Sequence, residues 1–245
     1  MLDLDGTLAP FADTPAGVAL PPATRAVLGA LAARPSTHVA IVTGRAADDA
    51  DRILGIPAAW IIGNHGCEIL DPQRIRTIDP LAAPHRDAVA RAGRTIRERV
   101  GTVPGIIIED KTWTLSIHYR LADPSIAPWL RDELDAIAGR EGLRRSDGKL
   151  LFEVRPNVRV NKGTAVVALA ERVGATDDRS SVLFAGDDLT DEDAFSALRR
   201  RYQNSVTIRV SDSVMVESAA EFIAANPGAL REFLASIPSP AVPRH

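Results

Sequence analysis

Two carboxylates one residue apart open this chain, in Met1-Leu2-Asp3-Leu4-Asp5-Gly6-Thr7. Along an extended strand alternate residues share a face, so Asp3 and Asp5 point one way while Leu2 and Leu4 enter the core. Gly6 then lets the backbone turn sharply away. One carboxylate can attack a phosphorus atom, and its neighbour can move the proton. A strand end followed by a polar turn uses the same residue types. The pair therefore gains its meaning from what accompanies it.

Phosphoryl transfer needs a nucleophile, charge neutralisation, donors to the phosphate oxygens and a proton carrier. Asp3 can be the nucleophile. A carboxylate and a phosphate repel, so a cation must stand between them. Magnesium takes oxygen ligands and often uses only one or two carboxylates beside water and phosphate oxygens. Asp3 and Asp187 can supply those, with Asp188 or Asp191 behind them. The acidic run 187–193 has a second account. Thr190 can cap the next helix, and acids in a first turn suit its dipole. That explains Asp191, but not Asp187-Asp188 directly after the apolar Val182-Leu183-Phe184. Thr43 lies where its hydroxyl and the Gly44 amide can grip a phosphate oxygen. Lys162 precedes a helical stretch and can neutralise phosphate as a point charge.

The elements that must position these groups follow from the pattern of apolar runs. Residues 21–33 read as a helix, with Pro22 near its start. His38 to Val42 is a strand that ends at Thr43-Gly44-Arg45, and a helix through Ile53 follows. Trp60 to Ile62, Ser181 to Ala185 and Val206 to Val210 are further strands. A helix from about Asp191 and a last helix opened by Asn226-Pro227-Gly228 complete this part, before a loose Pro-rich tail after Ile237. Strand, loop and helix in repetition predict an α/β fold, a doubly wound parallel-sheet Rossmann-like core. In such sheets ligands sit beyond the carboxyl ends of the strands, where all three polar stretches fall. Residues 84–156 differ. They read as helix, two strands, helix, and a hairpin turning at Ser146-Asp147-Gly148-Lys149. This predicts a small α+β domain, 84–156, inserted into a core of 1–83 and 157–245. Only Met1 and Leu2 precede Asp3, so the first strand is expected to be very short or its start shortened.

The chain has 245 residues, 45% of them apolar, and a net charge of −3. That charge gives no electrostatic case for nucleic acid or an anionic membrane. The single cysteine, Cys67, excludes an internal disulfide and fits a reducing compartment. The expectation is a cytoplasmic monomer acting on a small molecule, with no nucleic acid or membrane partner.

Taken together, Asp3-Leu4-Asp5-Gly6-Thr7, Thr43, Lys162 and Gly186-Asp187-Asp188 resemble the four motifs of haloacid dehalogenase superfamily phosphatases. The resemblance narrows to the trehalose-6-phosphate phosphatases through Gly63-Asn64-His65-Gly66-Cys67-Glu68, Glu109-Asp110-Lys111, His118-Tyr119-Arg120, Gly148-Lys149 with Phe152 to Pro156, and Gly186 to Phe195. It implies Asp3 as nucleophile and Asp5 as general acid and then base, with Thr43 and Lys162 assisting. It implies Mg2+ held by Asp3, Asp5, Asp187 and Asp188, with Asp191 behind these ligands. It further implies that the inserted domain is a cap. Gly44, Arg45, Asn64 and His65 would touch the substrate, and Glu109, Lys111, Arg120, Lys149 and Glu153 would hold its sugar hydroxyls. Without the resemblance, the last five residues read rather as cross-strand ion pairs on a wet sheet face. The same chemistry on another sugar phosphate, such as a glucosylglycerate or sucrose phosphate, and a non-catalytic sugar-phosphate-binding domain are the alternatives.

Overall fold

The structure, a computed structural model, describes residues 1–10, 12, 14–176, 180–213 and 217–238. It divides into two compact units, Met1–Thr77 with Asn161–His245, and Ile78–Val160. The expected tail after Ile237 lies almost wholly outside the described residues. The unit boundaries fall six residues before the expected 83/84 division and four after the expected 156/157 division.

In the first unit, β1 (Ala40–Val42), β2 (Trp60–Gly63), β3 (Glu68–Leu70) and β4 (Arg76–Ile78) lie side by side in that order. Strands β1 and β2 are parallel, and β3 returns antiparallel to β2. Three later strands, Val182–Gly186, Ser205–Val210 and Phe222–Ala224, lie beyond β1. The segment Met1–Asp3 joins the two sets. Leu2 bridges in parallel to Ile41 on one side and to Ala185 on the other. Its amide donates to the Ala40 carbonyl at 2.9 Å, and the Asp3 amide donates to the Ala185 carbonyl at 2.9 Å. The segment is as short as expected, yet it is hydrogen-bonded on both edges, which ties Asp3 to the centre of the sheet.

Buried on both faces, β1 sends alternate side chains to two cores. Ile41 packs with Leu2, Leu4 and the inner residues of α1 (Pro22–Ala32) and α2 (Ala47–Leu54). Ala40 and Val42 pack on the other side, with Ile62.

The second unit contains α3 (Arg86–Val100), β5 (Ile107–Asp110), β6 (Leu115–His118), α4 (Ala127–Arg140), β7 (Leu143–Gly148) and β8 (Leu151–Pro156). Its sheet runs β5-β6-β8-β7, antiparallel throughout. Leu115, Ile117, Phe152 and Val154 face Ala92, Ile96, Leu130 and Leu134 of the helices. The opposite parity carries a polar row, in which Glu109 pairs with Ser116, Ser116 with Glu153, and Glu153 with Ser146. The hairpin turns at Lys149-Leu150 and not at 146–149. Strand β7 stays in register through Gly148 opposite Leu151, and Leu150 takes the left-handed φ of 61°. The sequence run Thr112 to Tyr119 reads as a strand, but β6 starts only at Leu115, because Thr112 takes a left-handed φ of 71°.

The chain then returns to the first unit through α5 (Lys162–Arg172), β9 (Val182–Gly186), α6 (Leu189–Arg201), β10 (Ser205–Val210), β11 (Phe222–Ala224) and α7 (Pro227–Ser236). Strands β9, β10 and β11 are parallel. Helices α5 and α6 cover the face of Val42 and Phe184, where Phe184 meets Phe195 edge-on at 5.6 Å, and α7 covers the other. Strands β3, β4 and β11 were not expected from the sequence.

Candidate active site

Asp3 leaves the centre of the sheet at its carboxyl end and is 5% exposed. Gly6, at φ 88°, makes the turn that follows. Beside it, β9 ends at Gly186 and delivers Asp187 and Asp188. Helix α5 begins at Lys162, capped by Asn161, whose side chain accepts from the Thr164 amide. The Lys162 ammonium is 2% exposed and lies 2.8 Å from Asp3 Oδ1 and 2.7 Å from Asp191 Oδ1. One carboxylate oxygen each of Asp3, Asp187 and Asp191 lies within 4.8 Å of the others. The Met1–Asp3 segment, the end of β9 and the starts of α5 and α6 thus bring a buried cation and three acids to one point.

The acids are not equivalent. Asp191 is fully engaged: its Oδ2 accepts from the Asp187 and Asp188 amides at 2.9 and 3.0 Å, and its Oδ1 accepts from Lys162. It shapes the loop that carries Asp187. A Cβ on Gly186 would lie 2.2 Å from the Asp191 carboxyl carbon, so only glycine permits this approach. Asp188, and not Thr190, caps α6. Its Oδ1 accepts from the Thr190 and Asp191 amides, and Asp191 completes the capping box. Asp187 Oδ1 accepts from the Thr7 hydroxyl at 3.1 Å. The second oxygens of Asp3 and Asp187 make no hydrogen bond to the described residues, which leaves an oxygen of each for a hard divalent ion.

Burial, with Asp187 and Asp188 nearby, pushes the Asp3 carboxyl up to about 7 despite Lys162. Asp187 is raised to about 7, again by burial first and then by Asp188 and Asp191. Burial also raises Asp191. For Asp188 burial opposes ionisation, but Lys162 and the bonds from Thr190 and Asp191 outweigh it and hold the group at about 2. Lys162 is the reverse case. Burial would lower it, and Asp191, Asp3 and Asp188 hold it well above its ordinary value. This is the signature of a site that lacks positive charge for the carboxylates it gathers.

Asp5 does not join this cluster. It is gripped on both oxygens by Arg45, at 2.7 and 2.8 Å, and Arg45 also reaches Asp49 at 2.5 Å. Thr43 Oγ1 accepts from the Arg45 amide at 3.1 Å and so braces its own loop. Asn64 and His65 are buried in a turn in which both adopt left-handed φ, 50° and 55°. That conformation costs about 1–2 kcal/mol for each side-chain-bearing residue. A Cβ on Gly44 would lie 2.5 Å from His65 Nε2, so the imidazole rests directly on that glycine. Glu68, to which the sequence reading gave no role, binds Asn64 from below: Asn64 Nδ2 donates to Glu68 Oε1 at 2.7 Å.

In the second unit, Lys111 and Glu153 are both buried and pair at 2.8 Å, with Ser116 donating to the same Glu153 oxygen at 3.2 Å. Glu109 meets His118 Nε2 at 3.1 Å. Arg120 and Lys149 are exposed at the hairpin end, where Arg120 reaches the Lys149 carbonyl at 3.5 Å.

Residues 1–227 match the family model of trehalose-phosphatase. The trehalose-phosphate phosphatase of Mycobacterium marinum is 31% identical over 242 residues, which is 97% of this chain and 60% of that protein. The chain thus spans well under two thirds of the length of such relatives. The crystal structure of a trehalose-6-phosphate phosphatase related protein superposes with a TM-score of 0.82 at 27% identity, over 95% of this chain and 93% of that one. The C-terminal domain of C. albicans trehalose-6-phosphate phosphatase gives 0.79 at 26% identity, over 97% and 91%. With the family model matched across nearly its whole length, the chain belongs to the trehalose-phosphatase family.

Proposed function

We propose that this chain hydrolyses trehalose 6-phosphate to trehalose and inorganic phosphate, with Mg2+ as cofactor. The observation that carries the reading is the pair Asp3 and Asp187, two carboxylates with a free oxygen each, converging beside a buried lysine. Asp3 and Asp187 would hold the ion. When bound, it supplies the positive charge that lets a carboxylate approach a phosphate.

The chain's own groups do the rest. Asp3 attacks phosphorus, forming the Asp3 Oδ–P bond as the bond from phosphorus to the sugar oxygen breaks. Asp5 gives that oxygen its proton. Asp5 then takes a proton from water, which attacks the aspartyl phosphate and frees phosphate and Asp3. Arg45, which grips both oxygens of Asp5, passes to the incoming phosphate and so releases Asp5 to carry the proton. Lys162 keeps Asp3 oriented and offsets charge as the phosphoryl group transfers. The sugar is read by Glu109, Lys111, Arg120, Lys149 and Glu153 of the inserted unit, whose carboxylates accept from hydroxyls and whose cations donate to oxygens. With a single cysteine in the sequence, this reading places the enzyme in a reducing compartment, the cytoplasm.

No helix among the described residues is long and apolar enough to cross a membrane. Purified chain with trehalose 6-phosphate and magnesium should release phosphate, a chelator should stop the release, and sucrose 6-phosphate or glucosylglycerate phosphate should be poorer substrates. A folded sample that releases no phosphate from trehalose 6-phosphate rejects the proposal.

A further inference from the structure

Glu68 stands on β3, and its carboxylate is 1% exposed. Oε1 accepts from the Ala47 amide at the start of α2, at 2.8 Å, and from Asn64 Nδ2 at 2.7 Å. Oε2 pairs with Arg76 of β4. Three elements therefore meet on one buried acid. Its partner Asn64 belongs to the left-handed pair Asn64-His65, a backbone form that persists only where surrounding bonds over-determine it. That turn is latched to the phosphate-side loop. The Asn64 amide donates to the Arg45 carbonyl at 2.7 Å, and the His65 amide donates to the Thr43 carbonyl at 3.0 Å. His65 also lies on Gly44 so closely that no side chain could intervene.

We propose that Glu68 is a positioning residue for substrate binding: it holds the Asn64-His65 turn in its strained form against Thr43-Gly44-Arg45, so that both segments face the sugar phosphate. This rests on the proposed function. A carboxylate serves here because a single oxygen must accept from two donors while the other neutralises Arg76. An apolar residue would leave the Ala47 amide and the Asn64 amide group without their acceptor.

The test separates positioning from simple support of the fold. In Glu68→Ala, KM for trehalose 6-phosphate should rise roughly tenfold or more while kcat falls less than about threefold, the pattern of lost binding contacts. Glu68→Gln keeps an acceptor for Ala47 and Asn64, so it should restore KM to within about threefold of the parent chain. If Glu68→Ala fails to fold, Glu68→Asp replaces it. That variant keeps the charge opposite Arg76 but is one methylene too short to reach both donors, and it should show the same rise in KM. An unchanged KM in a folded Glu68→Ala or Glu68→Asp chain overturns the inference, as does a fall in kcat at constant KM. If the parent chain releases no phosphate at all, the proposed function fails by itself. The inference is then decided by the crystal structure of the variant, where an Asn64-His65 turn still at positive φ overturns it and a relaxed turn supports it.

Discussion

The acid cluster of the first unit and the polar sheet face of the second solve opposite problems. Asp3, Lys162 and Asp191 are nearly sealed from solvent, and each is tied to the ends of buried strands or helices. Glu109, Arg120 and Lys149 sit on a partly wet surface and at a hairpin tip, while Lys111, Ser116 and Glu153 are buried together. The first arrangement cannot relax without breaking the sheet. The second can change Arg120 and Lys149 at its exposed hairpin end without touching the fold. A reaction centre needs groups held to within a fraction of an ångström, whereas substrate choice needs replaceable contacts. If that division holds, substitutions in the cluster should lower kcat, and those on the sheet face should raise KM.

The sharpest break is Asp3→Asn. It keeps size and burial but removes the attacking oxygen anion, so phosphate release should fall roughly 10⁴-fold or more, the scale seen when a covalent nucleophile is lost. The melting temperature should not fall, because a charge held against burial disappears with it. Activity within tenfold of the parent would end the claim that Asp3 becomes phosphorylated.

Lys162→Met asks whether the cluster needs its cation. Activity should drop by about 10² to 10³-fold, as for loss of an electrostatic stabiliser. Unlike Asp3→Asn, it should also destabilise the chain by about 3–5 kcal/mol, since it leaves Asp3 and Asp191 buried without their partner. Urea melts and phosphate release read both effects, and an unaltered midpoint would contradict the charge balance drawn here.

On the sheet face, Glu153→Gln should raise KM about 10- to 100-fold with kcat changed only a few-fold, the expected cost of replacing one charged hydrogen-bonding group. Steady-state kinetics on trehalose 6-phosphate check it. A loss confined to kcat would move Glu153 from substrate choice to chemistry and erase the contrast between the two regions.

The same contrast governs what could be read from the chain. Ile41, Val42 and Phe184 lie in apolar runs whose length and β-branching announce buried strands, so the core of the sheet was legible. Met1–Asp3 was legible as a very short strand, but its place in the sheet was not, because that depends on ladders to Ala40, Val42 and Ala185, which no periodicity encodes. The edge strands β4 and β11 were missed because residues such as Arg76-Thr77-Ile78 are mixed and show no burial pattern, and the inner strand β3 was missed because it is only three residues long and holds a charged Glu68. Asp188 and Thr190 are both good caps two residues apart, and only backbone geometry chooses Asp188. Glu68 stayed silent for a deeper reason. Its partners Ala47, Asn64 and Arg76 come from three elements, and their meeting is a property of the fold alone.

The smallest effect tests the cluster without any substitution. Asp3 and Asp187 each stand near 7 in the folded chain, against 3.8 for an ordinary aspartate. Between those values the folded chain keeps protons that the unfolded chain has released. Their contribution to stability is therefore complete below about pH 4 and is lost as pH rises towards 7. Asp188 acts in a different window. Its lowered value, about 2, adds stability above 3.8 that is lost only as pH falls below that. With a chelator present, the melting temperature attributable to this site should thus drop by a few degrees between about pH 4.5 and pH 7.5. Magnesium favours the ionised carboxylates and should remove that drop, because the ion binds the folded chain most strongly where the acids have lost their protons. The comparison must use Asp3→Asn with a chelator as its control, since that chain lacks one of the two titrating groups and should show a shallower slope. Equal slopes in the parent and the variant, or a slope that magnesium leaves unchanged, would mean that these two acids neither retain protons in the folded chain nor receive the ion together.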